Sequence, residues 1–393
     1  MDDRPPVTDW ATDFDHLAPR WVEDPFSIWN ELRQTCPVAH TDRFDGVYLL
    51  TRYDDIRAVA YDPERFSSRQ VAVREGKVPF IEAPPVTSDP PEHRAHRKLL
   101  LPAFTPMEIG KLEPRTRGVC RERLEMLAGR REIDGAVDYA QEIPVRVIAS
   151  MLGLPEADGD LYRRWILNGS KGITDPAFAR AQQDEMKAYF TDVVVRRRAA
   201  PGDDLVSFLI EAEIDGKPLS DEHIVGTLLL LLIAGIATTW SMIGICLWHL
   251  ANHAEDRRRL ATEPDLIPTA VEEFLRAYAP ATLARKIVKD TEIGGCPVKG
   301  GQMVMMPFGA ANRDPAMFAE PDRVIIDRAE NRHVAFGLGI HRCLGSNLAR
   351  MEINVALEEW LKAFPNFSQP PGARTVWSEG VVRGPRRLPL TIG

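Results

Sequence analysis

From Ile224 to Trp248 the chain carries no charged side chain. A run of this length either spans a bilayer or passes through the middle of a large protein with apolar neighbours all round. Three features favour the second solution. The run is solitary and central in the sequence. It carries Gly235, Thr238, Thr239 and Ser241 inside it. Its upstream flank, LSDEH, has the form of a helix start: Ser220 can cap, and Asp221 and Glu222 suit the positive end of the helix dipole. The expectation is a buried helix and no membrane insertion.

The rest of the chain supplies the surroundings such a helix needs. It has 393 residues, 44% of them hydrophobic, enough for a sizeable core. The formal net charge of -8 gives no global basic field to attract nucleic acid or an anionic membrane. Segment DGVYLLTRYDDIRAVAYDP reads as strand, turn and helix, with Val47–Leu50 the strand and Asp54–Tyr61 in helical spacing. Helical patterns dominate from about Pro91 to Tyr278. Strand-like pieces follow Pro280, a helix covers roughly Ser346–Phe364, and the final stretch from Thr375 alternates like a hairpin. These patterns predict one mainly α domain over residues 1–393, with small β-sheets at its edge and no fused reductase domain.

Five cysteines, at 36, 120, 246, 296 and 343, are scattered and form no C-x-x-C pair. A disulfide framework or a zinc site is not expected, and a reducing cytoplasm fits best. The start, MDDRPPVTDW, lacks the basic and apolar regions of a signal peptide. Cys343 stands apart from the other four. It lies in HVAFGLGIHRCLGSNLAR, a glycine-rich loop just before a helix pattern. As a core thiol it would not need such a loop. As a nucleophile it would want a general base nearby, and the string shows none clearly. Backbone N–H groups at such a place can stabilise a thiolate. Gly337, Gly339 and Gly345 would let the backbone approach something large and flat, and Phe336 would pack on it. A single thiolate ligand to haem iron uses every one of these features.

FGLGIHRCLG, residues 336–345, resembles the haem-binding loop of the cytochrome P450 family, F-G-x-G-x-H-x-C-x-G. Further family landmarks occur in the expected order, and the likeness covers essentially the whole chain. It implies the cytochrome P450 fold, haem b with Cys343 as axial ligand, and O2 as co-substrate. Glu273 and Arg276 match E-x-x-R, a carboxylate and a guanidinium one helical turn apart. In the family this pair is buried behind the haem and joined by a second arginine, for which FAEPDRV offers Arg323. His93 and Arg97 in DPPEHRAHRKLL, with Arg285 and His341, match contacts to the haem carboxylates, which need cationic or N–H partners when buried. Without that context His93 reads as a surface residue.

AGIATT, residues 234–239, resembles the family's oxygen-side motif. The likeness implies that Gly235 loosens the helix where dioxygen sits, and that Thr238 hydrogen-bonds dioxygen and helps deliver protons. The plain alternative for Thr238 is a bond back to its own helix. One departure is clear: Ala237 stands where the family carries an acid that relays protons from solvent.

The resemblance implies a monooxygenase that puts one oxygen atom from O2 into a C–H bond of an apolar small molecule, by hydroxylation or oxidative dealkylation. Electrons would come from NAD(P)H through a small iron–sulfur ferredoxin and its reductase. Arg94, Lys98 and Arg342 would form a basic patch for that ferredoxin. Pocket walls are expected from the loop before residue 89, residues about 165–185, Leu232, Ile233, Ala234, Ile236 and Ala237 of the central helix, Thr282–Leu283, and Val381–Val382. Arg74 and Lys77 lie in the first of these loops. Two other readings stand behind it: a peroxide-driven haem-thiolate peroxygenase, against which the loop and Thr238 weigh although the missing acid brings it closer, and a non-catalytic haem sensor, against which the oxygen-side motif weighs.

Overall fold

The computed structural model of the protein describes residues 5–75 and 82–393. The apolar run becomes a single helix, Asp221–Asn252. Ser220 caps it, its hydroxyl accepting from the His223 N–H at 3.2 Å, with Asp221 and Glu222 in the first turn. Four helices surround it: Glu142–Leu152, Pro176–Ala199, Ile267–Tyr278 and Ser346–Ala363. This packing explains the composition. Leu228, Leu232, Ile236, Ile243, Leu247 and Leu250 are all fully buried, and each such side chain contributes roughly 1.5–3 kcal/mol when removed from water. Its most apolar stretch is 67% buried inside the protein.

Between Glu92 and Tyr278 helices alternate with only three short strands, Glu132–Asp134, Glu213–Ile214 and Lys217–Pro218. The main sheet lies to one side. Its strand order is Val38–Thr41, Val47–Leu50, Met303–Pro307, Thr282–Ile287 and Phe66–Ser67. Met303–Pro307 runs parallel to Val47–Leu50, and the other neighbours are antiparallel. All four residues of Val47–Leu50 are buried, and the helix Tyr53–Ala60 follows as its spacing predicts. Strands Thr291–Ile293 and Cys296–Val298 form a hairpin whose two turn glycines, Gly294 and Gly295, have φ of 57° and 82°. That turn requires two residues at positive φ, which glycine supplies without a Cβ penalty.

The C-terminal stretch departs from a simple hairpin. Val376–Trp377 does pair with Pro385–Arg387. Pro389–Ile392 then leaves to pair with Glu132–Asp134 and Phe367–Ser368. Asp134 directs the switch, its carboxylate accepting from the Leu388 N–H at 2.9 Å. The helix expected after Cys343 runs Ser346–Ala363 and packs on both the central helix and Ile267–Tyr278.

Candidate active site

The cysteine loop is wound tightly by its own backbone. The Gly337 N–H donates to Val334 O at 2.9 Å, and the Cys343 N–H donates to Phe336 O at 2.7 Å. Gly337 and Gly339 sit at φ of 71° and 67°. A Cβ on Gly339 would lie 2.2 Å from the Ala60 carbonyl oxygen, so only glycine fits there. The Arg350 guanidinium lies 4.4 Å from the centre of the Phe336 ring. The loop is thereby pressed between the helix Tyr53–Ala60 and the helix Ser346–Ala363.

Cys343 borders a cavity of about 540 Å3 whose wall is mostly apolar. The accessible surface of Cys343 faces this cavity. Burial pushes its thiol above the ordinary range, opposed by the Gly345 N–H and by Arg97, Arg342 and Arg350. Phe336, Gly337 and Gly345 border the same cavity, while Gly339 faces Ala60 instead.

The four expected carboxylate partners converge beside it. His93 is 4% exposed, so it is not the surface residue its local sequence suggests. Its ring lies 4.3 Å from that of His341. The Nε2 atoms of both rings are buried with no partner among the described residues. Arg285, also buried, donates among the described residues only to its neighbour's carbonyl, Ala284 O, at 2.7 Å. Arg97, Arg285 and His341 border the cavity. Burial lowers all four: His341 to about 2, helped by Arg285 and His93, and Arg285 to about 10. Three of these cationic or N–H groups thus line the cavity, with His93 packed against His341. Among the described residues no group of three His, Cys, Asp or Glu side chains is placed to hold a bare metal ion. One thiol, a loop with Phe336, Gly337 and Gly345 on the cavity, and a cluster of under-partnered donors fit a planar dianionic porphyrin.

The oxygen side lies on the central helix. Ile233, Ala234, Gly235, Ala237 and Thr238 border the cavity. The Thr238 hydroxyl donates to Ala234 O at 2.8 Å, so its proton is held by the helix and its lone pairs remain available. The helix runs through Gly235 without interruption. The glycine also makes room for a neighbour: Ile148 Cδ1 stands 3.0 Å from the place a Cβ would take. Ile236 and Leu232 are corrected. Both are fully buried and outside the cavity wall, on the side of the helix packed into the core. Leu283, Val381 and Val382 line the cavity as expected, but Thr282 does not. Side chains alternate along a strand, and Thr282 instead donates its backbone N–H to Val381 O at 2.8 Å. Arg74 lines the cavity; Lys77 lies outside the described residues.

Behind the site, Glu273 and Arg276 pair through two bonds of 2.8 Å, both side chains without exposed surface. Arg276 also donates to the carbonyls of Asn312, Pro321 and Arg323. The second guanidinium is Arg328, with Nε 3.0 Å from Glu273 Oε2. The Arg323 assignment is therefore corrected: only its backbone takes part, and its side chain is 69% exposed and pairs with Glu320.

Sequence reasoning missed three further features. Glu272 binds Arg350 at 2.6 Å and His333 at 3.0 Å, tying the helix Ile267–Tyr278 to the helix behind Cys343. Burial would raise this carboxyl, but those two partners outweigh it and hold it at about 2. Glu352 is 1% exposed, with Oε2 unpartnered among the described residues, and burial pushes its carboxyl well above the usual range. Trp165 and Gln182 border the cavity with unpartnered polar atoms. Spacing carried no signal for these. Only the seven-residue interval from Cys343 to Arg350 hinted that Arg350 lies near the loop.

Comparison with known proteins agrees with this geometry. The family model described as Cytochrome P450 matches residues 173–388. The mycinamicin IV hydroxylase/epoxidase of Micromonospora griseorubida is 36% identical, over 92% of this chain and 94% of that protein. The vitamin D(3) 25-hydroxylase of Pseudonocardia autotrophica is also 36% identical, over 94% of each. A solved structure of a P450 EryK mutant in complex with erythromycin B superposes with a TM-score of 0.86 at 35% identity, covering 93% of this chain and 95% of that one. Likeness of that extent, in sequence and in backbone, shows that the chain belongs to the cytochrome P450 family, in its bacterial type, and is a haem b monooxygenase.

Proposed function

We propose that this P450 hydroxylates or oxidatively dealkylates an apolar small molecule in the cytoplasm, with electrons from a small ferredoxin and its NAD(P)H-dependent reductase. The balance is R–H, O2, two electrons and two protons giving R–OH and water. The observation that carries this reading is the cavity itself. One mostly apolar space is bordered by Cys343 on one element and by Thr238 on another.

Haem b, when bound, supplies the oxidising chemistry, with the Cys343 thiolate favouring O–O cleavage. The chain's residues do the rest. His93, Arg97, Arg285 and His341 would hold the haem carboxylates. Ile233, Ala234, Leu283, Val381 and Val382 exclude water and orient the substrate's C–H bond. Thr238 Oγ1 keeps its proton on Ala234 O and presents its lone pairs to the cavity. Arg94, Lys98 and Arg342 are exposed on and beside the cysteine side and would steer an acidic ferredoxin.

The test is an optical titration of the ferric protein with fatty acids, methoxy-aromatics, terpenoids and steroids. It is followed by turnover of each binder under labelled O2. One labelled oxygen in the product supports the reading. Binders that are never oxidised, with ferredoxin, reductase and NAD(P)H present, would overturn it. One observation favours a second reading, a peroxygenase: Ala237 offers no acid, and peroxide brings its own protons. Turnover with hydrogen peroxide alone, at the ferredoxin-driven rate, would select it.

A further inference from the structure

Trp165 lies near the end of the helix Gly159–Leu167, and Gln182 in the first half of the helix Pro176–Ala199. Both border the cavity. Trp165 is 2% exposed. Its ring is held edge-on by Tyr189, with centres 5.4 Å apart and planes at 76°, and at a tilt of 40° by Tyr162, 6.0 Å away. Those two tyrosines are themselves fixed. Their hydroxyls lie 2.6 Å apart, and Tyr189 donates to Asp158 at 2.7 Å. The indole therefore cannot turn to seek a partner without breaking this packing. Its N–H has no acceptor among the described residues.

Gln182 is tied to the same residue. Its Nε2 donates to the Trp165 backbone carbonyl at 3.2 Å. That bond sets the amide's orientation, since a carbonyl needs an N–H facing it. The amide oxygen is then left buried and without a donor among the described residues. One donor and one acceptor, fastened to each other through Trp165, thus remain buried and unpaired in two residues that border an otherwise mostly apolar cavity. Buried polar groups in native proteins are nearly always paired, and an unpaired one favours whatever ligand completes it.

A hydroxyl can complete both, because its oxygen accepts and its proton donates. A hydrocarbon completes neither. A carboxylate has no proton for Gln182 Oε1 and would set negative charge against it. We infer that Trp165 and Gln182 form a subsite for a neutral substrate hydroxyl, so that this P450 acts on apolar skeletons already bearing an alcohol. The class of reaction that supplies its substrate is therefore one that leaves a free hydroxyl, such as reduction of a carbonyl or an earlier hydroxylation. This rests on the apolar-substrate reading above.

The test is binding rather than turnover. The haem-loaded protein is titrated with decane and decanol, camphane and borneol, and androstane and androstanol, following the Soret band. Trp165→Phe removes the indole donor at similar volume, and Gln182→Met removes the amide oxygen at similar length. In the unsubstituted protein each alcohol should bind about tenfold tighter than its hydrocarbon after correction for water solubility, as for about 1.4 kcal/mol of added interaction. The preference should fall in either variant, with hydrocarbon affinity retained. If Trp165→Phe does not fold, Gln182→Met carries the test. Hydrocarbons that bind with no alcohol preference, or a preference identical in all three proteins, would overturn the subsite and leave the proposed function standing. No response to either series would overturn the apolar-substrate reading and the subsite with it.

Discussion

Arg328 closes the buried ion pair at Glu273: its Nε lies 3.0 Å from Oε2, and its side chain is only 10% exposed. Glu273 has five donors around it, two from Arg276 and one each from Arg328, the Ile325 N–H and Asn331. A carboxylate without surface needs that many, because the desolvation cost is met only when its lone pairs are filled.

Arg328→Ala should therefore cost about 3–5 kcal/mol of stability, the range for stripping one partner from a buried charge. Arg323→Ala removes an exposed pair with Glu320 and should stay within about 0.5 kcal/mol. Urea unfolding of the haem-loaded proteins checks both. Equal losses, or the reverse order, would return the role to Arg323.

Arg285 predicts a trade between stability and cofactor. It is buried, held down to about 10 by that burial, and makes one bond to a backbone carbonyl. Asp89 offsets this in part, but with no carboxylate bonded to it the cation remains costly to the fold. Arg285→Leu should leave the haem-free protein as stable or up to about 4 kcal/mol more stable, as buried charges replaced by apolar groups often do. It should also release haem at least about tenfold faster, because a charge-assisted bond is lost. Denaturation with and without haem, and haem transfer to an apo-globin, measure the two arms. A loss of stability in the haem-free protein would make Arg285 structural instead.

Glu352 predicts a pH dependence. Burial pushes its carboxyl well above the usual range, whereas the unfolded group titrates near about 4.3. Above that pH the folded state holds a proton that the unfolded state has lost. Its contribution is therefore fully present at low pH and is lost as pH rises. Glu352→Gln cannot titrate and should remove that slope. The variant should gain stability relative to the unsubstituted protein between about pH 5 and pH 8. Urea midpoints at both ends check it. A difference that does not change with pH would mean that Glu352 titrates normally.

These residues also mark where the sequence stops being informative. The central helix was legible because only a buried helix or a bilayer span tolerates so long an uncharged run. The cysteine loop was legible because its glycines answer to backbone geometry, as Gly339 against Ala60 shows. The faces were not legible. A helix apolar all round has no stripe, so nothing in the string separates Ile233, on the cavity, from Ile236, in the core. Thr282 and Leu283 had to alternate, but their phase comes from the pairing of the strand. Arg323 and Arg328 are both arginines after a proline-containing turn, and only the path of the backbone decides which one turns inward. The open valences of Trp165 and Gln182 are invisible for the same reason: burial and orientation are tertiary facts.

The departure at position 237 gives the last prediction. Ala237 borders the cavity beside Thr238, whose own proton is committed to Ala234 O. A carboxyl at 237 would supply what this stretch lacks, a group that takes protons from solvent and passes them towards the Thr238 oxygen. General acids placed at the reacting group contribute about 100-fold or more. Uncoupling competes with product formation, so the visible change is smaller: Ala237→Asp should raise product formed per NAD(P)H several-fold. It should also lower the solvent isotope effect on product formation, since proton delivery would no longer limit the step. The measurement is product and peroxide yield per NAD(P)H with an established substrate, in both solvents. Equal coupling in the two proteins would mean that protons reach the site by another route, and the Glu352→Gln variant would be the next to assay for coupling, because Glu352 is a buried acid, pushed up by its burial, on the helix behind Cys343.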